Sequence, residues 1–323
     1  MINKKKFGFC LVLVFVLALA LAIGPVHATK RRFLSIASGW VTGAYYPFAG
    51  AVSRVAWKHL KAQNIKVTAE SSGASVANAK LIRTGDTDFA LLQNDIGFYA
   101  YYGKLMFDKP IKSLLGCMTL YPETIQIVAR KDANINSVGD LRGKRVSVGP
   151  LGSGTVENAK QILEAWGLTV DDMKAQQLKA AQAADYMKDG RLDAYFNTTA
   201  VGAAHIIDTC LLVPSVIVPI SGPNVDKLMK RYSFYAHDTV PPGLYRRVDS
   251  PVKTIAVMAM MVARADLEEE IVYLILKAIY EDLDQIKKAH AKFKVIELKK
   301  ALMGMSVPLH PGAEKYFKEV GVK

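Results

Sequence analysis

The chain has 323 residues, of which 51% are hydrophobic, and a formal net charge of +13 at neutral pH. This length is enough for two ordinary domains, each with its own core. Nucleic-acid binders also carry such a basic excess, but here no basic run is longer than three residues, so we expect scattered surface charge and no nucleic-acid partner. Charge of this sign can attract small anions from a distance.

The first 28 residues predict a cleaved secretory signal. Three lysines at positions 4–6 precede an unbroken apolar run over 7–23, and Val26-His27-Ala28 offers small side chains to a signal peptidase. An uncleaved membrane anchor is the alternative, because the run is close to the minimum for a bilayer span. We expect cleavage after Ala28 and a periplasmic mature protein, whose net charge falls to +10 because the three lysines are removed.

In three places a short β-like run leads through a loop of glycines and hydroxyl residues into a helical pattern. The strands are predicted over 33–38, 65–69 and 145–148, and the loops over 39–43, 71–75 and 149–155. Glycine lets a ligand approach the backbone closely, and Ser or Thr caps the following helix. Free amides and the positive end of the helix dipole then face the space in front. One such loop is common, but three favour an anion site.

Two segments place polar residues at the end of a buried strand. One strand, over 89–92, ends on Gln93-Asn94-Asp95, and the other, over 194–196, ends on Asn197-Thr198-Thr199. Ligands of open α/β sheets bind beyond the carboxyl ends of the strands. Two such ends that face each other predict a cleft between two lobes.

Two strands, predicted over 123–130 and 254–264, carry the chain between the lobes, and both end in Val-Ala-Arg. The fold class is therefore α/β with two lobes. We expect residues 29–128 and 257–323 to form the first lobe and residues 129–256 the second. Apolar residues at helical spacing over 271–286 predict a core helix of the first lobe, with glutamates in its first turn.

Catalytic and metal-binding motifs are incomplete. The loop over 149–155 has the glycines of a phosphate-binding loop, but Thr155 stands where Lys is required. Ser153 lacks the G-x-S-x-G pattern of a hydrolase, and the histidines are isolated along the chain. Cys117 and Cys210 have no zinc-site spacing, and their apolar neighbours favour two buried thiols over a disulfide. We predict a binding protein without a cofactor or a metal, and an exported hydrolase using Ser153 is the less favoured alternative.

Several motifs in order resemble the TAXI-type solute-binding proteins of TRAP transporters. They are Gly43-Ala44-Tyr45-Tyr46-Pro47, Ser75-Val76-x-Asn78, Gly85-x-x-Asp88 with Gln93-Asn94-Asp95, Gly152-Ser153-Gly154-Thr155, and Val307-Pro308-Leu309-His310-Pro311-Gly312-Ala313 with Tyr316. Together they cover nearly the whole mature chain. The resemblance implies a Venus-flytrap fold of the type II periplasmic-binding-protein kind with a two-strand hinge. It also implies a small carboxylate ligand, such as glutamate or 2-oxoglutarate, which is handed to an ion-coupled membrane permease.

Residues of both lobes are predicted to bind this ligand, with one carboxylate met by each lobe. No arginine falls in the three loops, so backbone amides and hydroxyls are expected to meet the charge. We expect a monomer whose partners are the carboxylate and the permease subunits. The candidate residues are Ser38, Trp40, Thr42, Gly43, Tyr45, Tyr46, Ser71, Ser72, Gly73, Gln93, Asn94, Ser153, Gly154, Thr155 and Asn197.

Two departures from the family pattern concern the ligand. Trp40-Val41-Thr42 replaces a more glycine-rich stretch, and the indole ring either narrows the cleft or stacks on the ligand. Val156 follows Thr155 where the family often has Glu, and Glu157 comes next. The aromatic rings around the first loop form either a core cluster or pocket walls with a polar edge. A sensory protein that docks on a signalling receptor is the alternative to transport.

Overall fold

The structure is a computed structural model that describes residues 32–322; the predicted signal peptide lies outside the described residues. Strands and helices alternate in the first part of this range, as the sequence predicts. They are β1 (Arg32–Ala37), α1 (Tyr45–Leu60), β2 (Ile65–Glu70), α2 (Ser75–Thr84), β3 (Phe89–Gln93) and α3 (Asn94–Tyr102). The long strand β4 (Leu114–Arg130) follows them.

The alternation continues in the second half of the chain. Its elements are β5 (Arg145–Ser147), α4 (Gly154–Ala165), β6 (Lys174–Gln176), α5 (Ala180–Lys188), β7 (Ala194–Thr199), α6 (Ala204–Leu212), β8 (Ser215–Val218), α7 (Pro223–Arg231), β9 (Ala236–Val240), β10 (Val252–Arg264), α8 (Glu269–Glu281), α9 (Leu283–Lys288) and α10 (Pro311–Glu319). Over residues 32–322, no helix is both long and apolar enough to cross a bilayer.

The strands of the described range pair in the order β2-β1-β3-β10-β4-β7-β5-β6, with β8 on β4 and β9 on β10. The outer strands on each side, β2-β1-β3 and β7-β5-β6, are parallel within their groups. The two long strands β4 and β10 lie between the groups and run antiparallel to their neighbours. The two groups of parallel strands are the sheets of the two predicted lobes.

Both long strands change partners along their length. β10 pairs with β9 up to Ala256 and with β3 from Ala259, and its register against β4 shifts between Met258 and Met260. β4 pairs with β7 from Thr124 onward. This confirms the prediction of two strands that cross between two lobes. The boundaries after residues 128 and 256 remain our proposal; they lie inside β4 and β10.

Helices cover both faces of each lobe, which is the arrangement expected for a parallel sheet. In the first lobe, α1, α8 and α10 pack around Phe48 on one face, and α2 and α3 pack around Ile96 on the other. In the second lobe, α4 and α7 enclose Ile162, whereas α5 and α6 enclose Met187. Cys117 and Cys210 are buried and free, in separate clusters of different lobes.

Two predicted boundaries are wrong. β4 begins at Leu114 and not at residue 123, because the earlier residues already pair with the end of β10. The helix predicted over 271–286 is two helices that break at Asp282. The carboxylate of Asp282 accepts hydrogen bonds from Lys58 Nζ and His59 Nε2 of α1, at 2.7 and 2.8 Å. The helical spacing of apolar residues cannot predict this contact, because it joins residues that are far apart in the chain.

Candidate functional site

A cavity of about 50 Å³ lies between the lobes, beyond the carboxyl ends of β3 and β7. Nine of the fifteen predicted residues line it, which means that the structure brings together the first loop, one strand end of each lobe and the third loop. These nine are Trp40, Thr42, Gly43, Tyr45, Gln93, Ser153, Gly154, Thr155 and Asn197.

The other predicted residues lie elsewhere. Ser71, Ser72 and Gly73 line a wider adjoining cleft of about 500 Å³, which shares Trp40 and Thr42 with the cavity. This cleft also includes Lys179 and Val41. The adjoining cleft therefore continues the cavity toward the solvent, past the ring of Trp40.

Ser38, Tyr46 and Asn94 do not line the cavity, contrary to the prediction. The Ser38 hydroxyl donates to the carbonyl of Glu70 at 2.6 Å and so ties β1 to β2. Asn94 follows Gln93 but points away from the cavity, and its Nδ2 donates to the Gly304 carbonyl at 3.0 Å. Its Oδ1 accepts from the Met258 amide, also at 3.0 Å, beside the register shift in β10. Asn94 therefore fastens the hinge region.

The amino terminus of α4 opens into the cavity through Ser153, Gly154 and Thr155. Ser153 is the residue that caps this helix: its Oγ accepts from the Val156 amide at 3.4 Å and donates to the Pro150 carbonyl at 2.7 Å. The first amides of a helix have no partner within the helix, and they carry the positive end of its dipole. This end of α4 can therefore bind an anion. Because its hydroxyl serves as the cap, Ser153 is poorly suited to act as a nucleophile.

The second loop does not present free amides, contrary to our expectation. The Val76 and Ala77 amides at the start of α2 donate to the Gly152 carbonyl, at 3.1 and 3.2 Å. Gly152 belongs to the third loop, so this contact joins the two lobes directly. In addition, neither α1 nor α2 has a side-chain cap, because Ala44 and Ala74 hold the capping positions. The predicted Ser or Thr capping is confirmed only for α4.

Further contacts join the lobes beside the cavity. Asn158 Nδ2 of α4 donates to Asp95 Oδ2 of α3 at 2.8 Å, and Gln161 Nε2 donates to the Tyr99 hydroxyl at 3.2 Å. Burial raises the pKa of Asp95 to about 7. Gln93 packs so closely on Gly154 that a Cβ at residue 154 would stand 1.8 Å from Gln93 Oε1. This oxygen is buried and has no hydrogen-bond partner among the described residues.

Glu123 is a cavity residue that our sequence analysis missed. It lies on β4, is 5% exposed, and accepts a hydrogen bond from the Tyr45 hydroxyl at 2.7 Å on its Oε2. Burial raises the pKa of Glu123 to about 8, although the bond from Tyr45 opposes this shift. Burial and the neighbouring carboxyl also raise the pKa of Tyr45 well above its usual value. The sequence feature that could have identified it is that Glu123 is the one acidic residue of β4, in the apolar interior of the strand.

His205 was also missed, because it is isolated along the chain. It lies in the first turn of α6 and its Nε2 accepts a hydrogen bond from Asn197 Nδ2. Burial lowers the pKa of His205 to about 4, so the ring is neutral at physiological pH. The remaining unpredicted lining residues are Gly39, Ala44, Ala74, Ser75, Ala180, Thr198 and Thr199, and no Lys or Arg is among the described residues of the lining.

The chain is similar to known proteins in sequence and in fold. The model of the NMT1-like family matches residues 36–321. An ancestral arginine-binding protein bound to arginine is similar to this chain at a TM-score of 0.50 and 17% identity, over 81% of this chain and 98% of that one. This likeness shows the fold, which is the two-lobed fold of periplasmic binding proteins.

Two further structures are similar at lower scores. The periplasmic aliphatic sulphonate binding protein SsuA from Escherichia coli has a TM-score of 0.49 and 14% identity, over 90% of this chain and 79% of that one. A histidine kinase sensor domain with similarity to periplasmic binding proteins has a TM-score of 0.47 and 13% identity, over 82% and 96%.

Proposed function

We propose that this chain, which belongs to the NMT1-like family, is a solute-binding protein that captures a small organic acid anion between its lobes. The observation that carries the proposal is the amino terminus of α4, which opens into a cavity lined by both lobes. Helix amides and hydroxyls are suited to carboxylate oxygens. The neutral His205 and the absence of Lys and Arg from the described lining agree with an uncharged set of donors.

We further propose that the anion is a C4–C5 carboxylate, such as glutamate or 2-oxoglutarate, and that the protein delivers it to an ion-coupled TRAP permease. The ordered motifs shared with TAXI-type proteins support it. The cavity of about 50 Å³ is smaller than an engineered cavity of roughly 150 Å³ that holds benzene. A C5 acid therefore fits only when the lobes are further apart, with space taken from the adjoining cleft past Trp40 and Thr42.

Opening of the lobes would also release donors. The Val76 and Ala77 amides are bonded to the Gly152 carbonyl in the closed arrangement. A second ligand carboxylate could take the place of this carbonyl at the start of α2. In this proposal each lobe contributes one helix amino terminus, and a dicarboxylate favours closure because it bridges them.

Calorimetry with refolded, ligand-stripped protein tests the proposal, using glutamate, 2-oxoglutarate and C4 dicarboxylates. Ser153→Phe is the first variant, because Ser153 is 1% exposed and lines the cavity. We expect it to abolish binding. Ser137→Phe is the matched control, since Ser137 also caps a helical turn but is exposed and outside the cavity. Absence of binding to every small carboxylate by the unmodified protein would refute the proposed function.

The partner needs a separate test. Uptake of the bound acid into vesicles that contain the membrane permease encoded beside this chain, in the presence of an ion gradient, would support delivery to a permease. A neighbouring gene for a signalling receptor, together with no stimulation of uptake, would favour the sensory alternative instead.

A further inference from the structure

We propose that Glu123 determines the specificity of this cavity by meeting the bound anion as a neutral carboxylic acid, so that an ionised Glu123 takes up one proton when the ligand binds. The inference rests on the proposed function, since it requires an anion in the cavity. It adds a residue that the motifs do not indicate, and it states which kind of ligand atom this residue accepts.

The geometry leaves one oxygen of Glu123 for a ligand. Oε2 accepts from the Tyr45 hydroxyl at 2.7 Å, and Tyr45 is held in the lining at the start of α1. Oε1 has no hydrogen-bond partner among the described residues. The carboxyl group is thereby oriented from one side, and its second oxygen is the one that can contact a molecule in the cavity.

The charges around Glu123 do not favour an ionised carboxylate beside an anion. On its own strand the nearest titratable group is the buried Tyr121, and on α1 it is Tyr45. Asp95 of α3 adds negative charge, and among the residues of the described range the cation that opposes it is Lys292, in the segment after α9. Lys292 is outside the cavity lining, and burial lowers its own pKa. Burial accordingly raises the pKa of Glu123 to about 8.

A ligand carboxylate in the same cavity extends this effect. When two carboxylates share a water-poor site without a cation between them, ionising both costs a large electrostatic free energy. One of them therefore takes up a proton. Where the free carboxyl is ionised, this proton moves from solvent to Glu123 Oε1 on binding. The protonated Oε1 then donates it in an O–H···O bond to the ligand oxygen. Like-charge repulsion is thereby replaced by a charge-assisted hydrogen bond.

The consequence for specificity is direct. The ligand atom that faces Glu123 must be an acceptor, such as a carboxylate or keto oxygen. A ligand ammonium at this point would instead keep Glu123 ionised, and binding would then release a proton wherever the free carboxyl is protonated. The direction of proton transfer on binding therefore distinguishes an acceptor from a cation at this end of the ligand.

The test measures the Kd of the best-binding carboxylate by calorimetry at pH 7, 8 and 9, in two buffers of different ionisation enthalpy. With a free-state pKa of about 8 and a fully protonated bound state, the affinity falls about tenfold from pH 7 to pH 9. About one proton is taken up per ligand at pH 9. Release of a proton, or an affinity that rises with pH, would overturn the proposal.

Glu123→Gln is the decisive variant, because the amide copies the shape and the donor of the protonated acid. We expect its ratio of Kd between pH 9 and pH 7 to be about one. Asp95→Asn is the control: Asp95 is also buried with a raised pKa but lies outside the lining. Loss of its negative charge lowers the pKa of Glu123, so this variant should keep a clear fall in affinity from pH 7 to pH 9 that is at least as large as in the unmodified protein. A tenfold ratio that persists in Glu123→Gln refutes the role of Glu123. If that variant does not fold, the proton count of the unmodified protein decides alone. Failure of the unmodified protein to bind any carboxylate at all three pH values refutes instead the proposed function.

Discussion

The close packing of Gln93 on Gly154 makes closure of the two lobes sensitive to a single methyl group. In Gly154→Ala the new Cβ would stand 1.8 Å from Gln93 Oε1 and 2.3 Å from its Cδ. Gln93 is 3% exposed, so its side chain has little room to move while the lobes touch. The overlap exists only in the closed arrangement, because Gln93 and Gly154 belong to different lobes.

Overpacking of this kind costs about 1–3 kcal/mol. If the whole cost falls on the closed state, the affinity for ligand decreases by about fivefold to 150-fold. Calorimetry measures this loss, and small-angle X-ray scattering of the same samples should show a larger radius of gyration at equal ligand concentration. Each lobe keeps its own core, so circular dichroism should be unchanged.

Gly50→Ala is the matched control, because Gly50 also lies in a helix and its added Cβ would meet only Arg54 Nη1, at 3.6 Å. We expect this control to bind like the unmodified protein. Adding Gln93→Ala to Gly154→Ala removes the overlap and should restore the compact shape. Full affinity and unchanged scattering in the Gly154→Ala single variant would show that Gln93 rotates away freely, and would refute the argument that the lobes are held at this distance.

Two further predictions concern stability and the thiols. Burial raises the pKa of Asp95 to about 7, so between about pH 4 and 7 the folded protein holds this proton and the unfolded chain does not, and the stability falls as the pH rises through that window. Asp95→Asn should therefore lose less thermal stability than the unmodified protein between pH 4 and 8. Identical melting curves for the two proteins would contradict the buried location. Cys117 and Cys210 are buried and free, and burial raises the pKa of the Cys117 thiol far above its usual value. A thiol reagent should therefore detect no fast-reacting thiol in the native mature protein and two thiols in denaturant without reductant. Detection of no thiols in denaturant would instead indicate a disulfide.

Much of the fold was predictable because its information is local. Loops of glycine and hydroxyl residues mark strand-to-helix turns, and these were found at all three predicted places. The matching Val-Ala-Arg ends identified both crossing strands. The start of β4 was missed because nothing distinguishes residues 114–122 from a separate strand until their pairing with β10 is known.

The site was predicted only in part, for a reason visible at Gln93 and Asn94. Both are polar and adjacent at the end of the same predicted strand, so the sequence does not distinguish them. In the structure Gln93 lines the cavity, whereas Asn94 is bonded to Gly304 and Met258 at the hinge. The second loop shows the same difficulty, because its helix start is suited to an anion but is occupied by the Gly152 carbonyl of the other lobe.

Neighbouring residues were therefore sufficient to establish an α/β chain of two lobes, its two crossing strands and a helix start suited to an anion at Ser153. Only the folded molecule decided which surfaces of the two lobes meet and which polar groups remain free between them. Tyr45 and Glu123 are 78 positions apart, and their hydrogen bond and shared burial exist only in the folded chain. The raised pKa of Glu123 follows from this burial, since desolvation is a property of the surrounding structure and not of the residue.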